Sequence, residues 1–159
     1  MKRVPFLEIN GDPYAQWWRD RFDPEHDPFV GMRFYQSGRA KIWVGTGEIA
    51  GLTSARMDAV GIHLLRIGRR FWKPTSAAIV AFAGNSRASV IDLDSDETVK
   101  FLAGQDVPLA EDDARRETLP RGFLAARYHG VAVGCAEWHG GGAVRSLIPK
   151  KKRITEIDL

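Results

Sequence analysis

The chain has 159 residues, 44% of them hydrophobic and 27% charged. That composition excludes a disordered or fibrous polymer and predicts one globular fold whose core needs neither a disulfide nor a structural metal. The formal net charge is only +3, so a role in binding polyanions must come from how the charges are distributed rather than from their sum.

From the N-terminus, MKRVPFLEINGDP lacks the apolar run of a signal peptide, and no later stretch approaches the roughly 20 apolar residues of a membrane span, which predicts a cytoplasmic protein without membrane contact. Asp12 and Pro13 followed by YAQWWRDRF predict a short helix. Asp12 is its N-cap, Pro13 lies in the first turn, and Tyr14, Trp17, Trp18 and Phe22 form an aromatic stripe for the core. The proline-rich and charged DPEHDPF closes the helix as a loop with His26 exposed. Two β-prone runs between Met32 and Val44 flank Ser37-Gly38 and read as a hairpin, ended by Gly45, Thr46 and Gly47. Ala50 to Met57 reads equally as a loop or a helical turn.

AVGIHLLRI is a predicted strand, and PTSAAIVAFAG a buried helix with Pro74 near its start and Gly84 as C-cap. ASVIDL is the next strand. Asp94 with Glu97 three residues on makes a capping-box start for SDETVKFLAG, which ends in Gly104. Beyond QDVPL and the acidic loop AEDDARRETLP lie three β-prone runs from Arg121 to Pro149, separated by His129-Gly130 and by the triplet Gly140, Gly141 and Gly142. The tail KKKRITEIDL opens as a charge block, and Ile154 and Ile157 give it a means of docking. This order predicts an α+β fold, a small mixed β-barrel or sheet flanked by helices. Residues 1–60 are integral to it, because Trp17, Trp18 and Trp43 need a core to enter.

The chemistry of catalysis finds few candidates. Cys135 is the only cysteine and sits among small and apolar residues, as a core thiol does; His26, His63, His129 and His139 are too scattered for a zinc site. No glycine-rich phosphate loop lies between a strand and a helix. Asp92, Asp94 and Asp96 lack the glycine and distal glutamate of a calcium loop, and helix capping explains them. His129 and His139 flank a predicted hairpin with no serine or carboxylate placed to complete a triad. The expectation is therefore no catalytic residue, no metal and no cofactor.

Binding is better supported. Between Asp58 and Asp92 there is no acid, while Arg66, Arg69, Arg70, Lys73 and Arg87 fall in that interval. In RIGRRFWKPTS the cations Arg66, Arg69, Arg70 and Lys73 interleave with Phe71 and Trp72, residues suited to stacking on an unpaired base, and the amides near Thr75 and Ser76 open a helix where a phosphate can sit. Phe71 and Trp72 as core residues, with the arginines merely solvated, is the competing reading of the same run. The second basic cluster is RSLIPKKKR, with Arg145, Lys150, Lys151, Lys152 and Arg153. If the two clusters form one groove, Arg69, Arg70, Lys73, Arg145 and Lys150 share a surface.

The series GIHLLRIGRRFWKPTSAAIVAFAG, VIDLD, FLAGQDVPL, RGFLAARYHGVAVGCAEW and AVRSLIPKKKR is similar in order and spacing to the PUA-like region at the C-terminal end of Sun-type RNA cytosine-5 methyltransferases. It also resembles short archaeal proteins that carry this region alone, whose lead-in WWRDRF and RFYQSGRAKIWV resemble. The resemblance spans Gly61 to Arg153 and implies a compact β-barrel with flanking helices that grips structured ribosomal or transfer RNA, in ribosome assembly or RNA modification, and positions it for an RNA-modifying enzyme or the ribosome. The positions it implies are those of RIGRRFWKP and of the final basic strand. It divides the chain into residues 1–60, a PUA-like domain over 61–153 and a tail over 154–159. Those methyltransferases have a separate S-adenosylmethionine domain with paired cysteines; this chain has neither its length nor a second cysteine, so a binding module rather than an enzyme is expected. The alternative is a protein-interaction adaptor or ribosome-associated structural protein working through Glu111, Asp112 and Asp113. An enzyme of unrecognised type would instead need a pocket around His63, His129 or His139.

Overall fold

The computed structural model describes residues 5–47 and 58–156, so the ambiguous run from Ala50 to Met57 and the docking residue Ile157 lie outside the described residues. Among the described residues ten strands form two five-stranded sheets. The first is a simple antiparallel meander of β1 (Phe6–Ile9), β2 (Met32–Ser37), β3 (Lys41–Thr46), β4 (Ile62–Ile67) and β5 (Trp72–Pro74). The second comprises β6 (Val90–Asp92), β7 (Val107–Pro108), β8 (Gly122–Tyr128), β9 (Val131–Trp138) and β10 (Ala143–Ser146), in the order β6-β8-β9-β10-β7. Among the described strands only β6 runs parallel to its neighbour, β8. Helices α1 (Asp12–Phe22), α2 (Ser76–Phe82), α3 (Ser95–Leu102) and α4 (Arg115–Thr118) flank the sheets, and a 3₁₀ turn spans Lys150–Lys152. The α+β class is as predicted. Among the described residues no helix is long and apolar enough to cross a membrane.

Local chemistry accounts for most element ends. Helix α1 begins one residue earlier than its predicted cap: Gly11 is the N-cap, and Asp12 is the first helical residue, its amide held by the Asn10 side chain at 3.0 Å. Trp18 and Phe22, one turn apart, are fully buried with Ala15, while Tyr14 and Trp17 pack at the edge of the same cluster. The capping box of α3 forms as read: Glu97 donates its amide to the Asp94 carboxylate at 2.8 Å, and the Glu97 carboxylate accepts the Asp94 amide at 3.0 Å. Helix α2 departs from expectation at its C-terminal end. Its N-cap is Thr75, which accepts the Ala78 amide at 3.0 Å, and its C-cap is Ala83 rather than Gly84. Pro74 ends β5, an edge strand, where a residue without an amide is tolerated. Only one side of α2 is covered; Val80 is 53% exposed. The strands β1, β5 and β7 and the single turn α4 inside the acidic loop were not predicted.

The second sheet is buried on both faces. Along β8 successive residues alternate between two cores, as side chains on a strand must. Phe123 and Ala125 join Trp18, Phe22, Phe34, Leu64, Ile79 and Cys135, whereas Leu124 and Ala126 join Ile91, Phe101, Ala136 and Val144. Residues on both sides of position 60 share the first core, and β3 pairs with β4 across that position. Arg21 of α1 reinforces the junction by donating from Nε to the Phe123 carbonyl at 2.8 Å.

Candidate nucleic-acid interface

Pairing in the first sheet builds a row of cations. Lys41 on β3 stands opposite Arg66 on β4, and Arg66 stands opposite Lys73 on β5. Directly opposed residues project from the same face, with Cβ atoms about 5 Å apart, and like charges in that arrangement repel. Ile42 faces Leu65 and Trp43 faces His63, so Leu64 is the extra residue of a bulge. By adding one residue the bulge turns His63 onto the face that carries Arg66. There the imidazole stacks on Trp43, centroids 4.7 Å apart and planes 20° apart, and donates from Nε2 to the Leu65 carbonyl at 3.1 Å. Burial pushes the His63 pKa below its ordinary value; the bond to Leu65 opposes that shift, and the charges of Lys41 and Arg66 add to it.

Beside this row lies a groove of about 440 Å³ between β4, β5, the start of α2 and the segment after β10. Arg66 and Lys73 line it and Lys152 reaches it from the 3₁₀ turn, while Pro74, Leu147 and Pro149 supply apolar wall; among the described residues no carboxylate lines it. None of the three cations forms an ion pair with a described carboxylate. Thr75 and Ser76 also line the groove, but their hydroxyls are engaged within the fold. Thr75 bonds the His63 carbonyl and caps Ala78, and Ser76 accepts the Cys135 amide at 3.1 Å.

The other predicted positions lie elsewhere. Arg69 and Arg70 are exposed in the turn joining β4 to β5, closed by the Gly68 amide on the Phe71 carbonyl at 3.0 Å. Phe71 is 60% exposed, its ring centroid 5.9 Å from that of Phe123. Trp72 is half-buried against Tyr14 and Trp17, at 5.1 and 6.4 Å between centroids, so its ring belongs to the aromatic layer under the first sheet rather than to the surface. Arg145 lies opposite Glu137 and 4.0 Å from its carboxylate, which also holds His139 at 3.2 Å. Arg153 packs over Gly104 beyond the end of α3, and the Ile154 amide bonds the Leu102 carbonyl at 3.0 Å. Lys150 and Lys151 are exposed on the 3₁₀ turn. Of the five cations expected on one surface, the groove therefore takes only Lys73, joined by Arg66 and Lys152. Lys41 and His63 belong to this face and were not among the expected binding residues. Their signal was the register of three strands, which no local motif carries.

Several other titratable groups have structural roles. His129 and His139 sit at opposite ends of β9 and do not face each other; His129 packs edge-on against Tyr128. Arg115 binds both Glu97, at 2.6 Å, and Asp113, at 2.7 Å, tying the acidic loop to α3. Cys135 is fully buried, and burial pushes its thiol up to about 12. Among the described residues there is no cluster of three or more His, Cys, Asp or Glu able to hold a metal.

Comparison with known proteins finds a likeness for the second sheet. Residues 88–154 match the family model described as the Methyltransferase RsmF PUA domain. That segment, β6 through the 3₁₀ turn, is similar to the PUA-like domain of Sun-type methyltransferases. Over 105 residues the chain is 27% identical to the ribosomal RNA small subunit methyltransferase F of Aeromonas salmonicida (strain A449), an alignment covering 66% of this chain and 20% of that protein. The chain thus corresponds to about a fifth of the length of this curated relative. Lys152, Leu147 and Pro149 fall inside the matched segment, whereas Arg66 and Lys73 precede it, so the groove lies along the seam between the two.

Proposed function

We propose that this chain is an RNA-binding module for ribosomal or transfer RNA, acting without catalysis of its own in ribosome assembly or RNA modification beside a partner. The observation that carries the reading is the groove in which Arg66, Lys73 and Lys152 converge, with no acid among the described residues of its walls. Opposed, unpaired cations are a local cost unless an anion occupies the site, and a polyphosphate backbone supplies one repeatedly. The similarity to a ribosomal RNA methyltransferase supports RNA as that polyanion. Methyl transfer is not carried over, since the chain matches only a fifth of that protein and its one cysteine is buried with a raised pKa. The adaptor reading is weaker, because Asp113 is committed to Arg115 and only Glu111 and Asp112 of that trio are exposed.

The test is binding to labelled ribosomal and transfer RNA over a salt series, for the native chain and for the variant R66A/K73A/K152A. The native chain is expected to bind with a steep salt dependence, and the variant to lose affinity together with about two units of the log–log salt slope, as the loss of three phosphate contacts requires. Equal binding by both proteins would remove the groove from the reading, and no binding by either would remove RNA.

A further inference from the structure

We propose that the groove receives a single unpaired nucleotide, its phosphate over the opposed Arg66 and Lys73 and its base against Pro74, Leu147 and Pro149. This rests on the RNA-binding reading and specifies the form of RNA that the site takes. Three observations converge on it.

The first is shape. The groove is concave and, at about 440 Å³, falls within the roughly 300–1,000 Å³ of sites that enclose a small ligand. A continuous duplex offers phosphates on a convex surface and keeps its bases stacked inside, so it can touch the rim of such a groove but cannot fill it. The second is the mixed lining. Arg66 and Lys73, in register on neighbouring strands, and Lys152 on the 3₁₀ turn supply charge, and Pro74, Leu147 and Pro149 supply apolar surface. A nucleotide needs both kinds of contact, for an anionic phosphate and for a flat ring. The third is that the polar floor of the site is already fixed. His63 is fixed between Trp43 and the Leu65 carbonyl, and the Thr75 and Ser76 hydroxyls are bonded internally, so the ordering that opposes binding is confined to the three cationic side chains. Trp72 faces α1, which leaves the groove wall rather than an exposed indole to meet the base.

Two measurements on the full chain test this. In an NMR titration of isotope-labelled protein, 5′-CMP and 5′-AMP are expected to shift the amides of Arg66, Lys73, Ala77, Leu147 and Lys152 at concentrations at least about tenfold below those needed by cytidine or inorganic phosphate alone. In competition for bound RNA, an unpaired oligonucleotide is expected to outcompete the same sequence closed into a blunt duplex by at least about tenfold, and K152A, a change at an exposed residue that leaves the fold intact, to erode that preference. A duplex that competes equally well overturns the proposal, as do shifts that inorganic phosphate alone reproduces or that fall outside the groove. RNA binding without preference overturns the unpaired nucleotide and leaves the general reading standing, whereas no binding of either RNA overturns both.

Discussion

At Gly61 the backbone has φ +60°, and a Cβ there would overlap the carbonyl oxygen of Val44 on the adjacent strand. Because the obstacle is backbone rather than the end of a mobile side chain, Gly61→Ala is expected to cost about 1–3 kcal/mol, read as a lowered midpoint in denaturant unfolding. Asp113 shows a different kind of dependence. The side chain of Arg115, and after it the Arg115 amide, hold the carboxyl at about 2, against an ordinary 3.8. A carboxylate depressed in the folded state contributes stability above its unfolded pKa and loses it as pH falls through the folded value. Stability should therefore decline between pH 3.8 and about 2, and D113N should flatten that part of the curve. Cys135, buried in the first core with its thiol pushed up to about 12, is expected to resist a thiol reagent at neutral pH in the native protein and to react fully in denaturant.

Elements differ in how much of their stability is local. The box that starts α3 satisfies two helix amides at once, and Asp94→Ala should lower stability by about 1 kcal/mol, measured by thermal unfolding. Helix α1 depends on its burial instead: Trp18→Ala removes a fully buried ring touching Phe22, Phe29 and Phe82 and should cost roughly 3–5 kcal/mol. The same contrast explains what could be read from sequence. The capping box, the Ser37-Gly38 turn and the His129-Gly130 turn, whose two residues both have positive φ, are local signals and were legible. Strand β7 has two residues and exists because β10 pairs with it, while β5 is short and ends in a proline that also suits a helix start. The candidate site was half legible for this reason. Arg66, Lys73 and Lys152 were found as types, but Lys41 and His63 join them only through strand register and the Leu64 bulge. Arg145 and Arg153 leave the site because of Glu137 and Gly104, neighbours set by the folded chain.

On the scale of the whole molecule the first core is common property. It takes residues from α1, from the first sheet, from α2 and from one face of β8 and β9. Unfolding followed by tryptophan fluorescence and by far-ultraviolet circular dichroism is accordingly expected to give coincident single transitions; a separate early loss of residues 5–47 would contradict this. The placement of the groove follows from the same arrangement, since its cations from β4 and β5 and its turn from beyond β10 are held together by that shared interior.

The doubly buried second sheet bears on portability. A gene fragment limited to residues 88–154 would carry the strands that define its class but leave Phe123, Ala125, Ala132 and Cys135 without a lid, an oily panel on one side of an otherwise finished object. Such a fragment should self-associate when expressed alone, and adding back residues 5–87 should restore a dispersed monomeric species in light scattering. Any larger protein that borrows this segment must bring its own cover for that panel, and whichever cover it brings also decides what stands opposite Lys152.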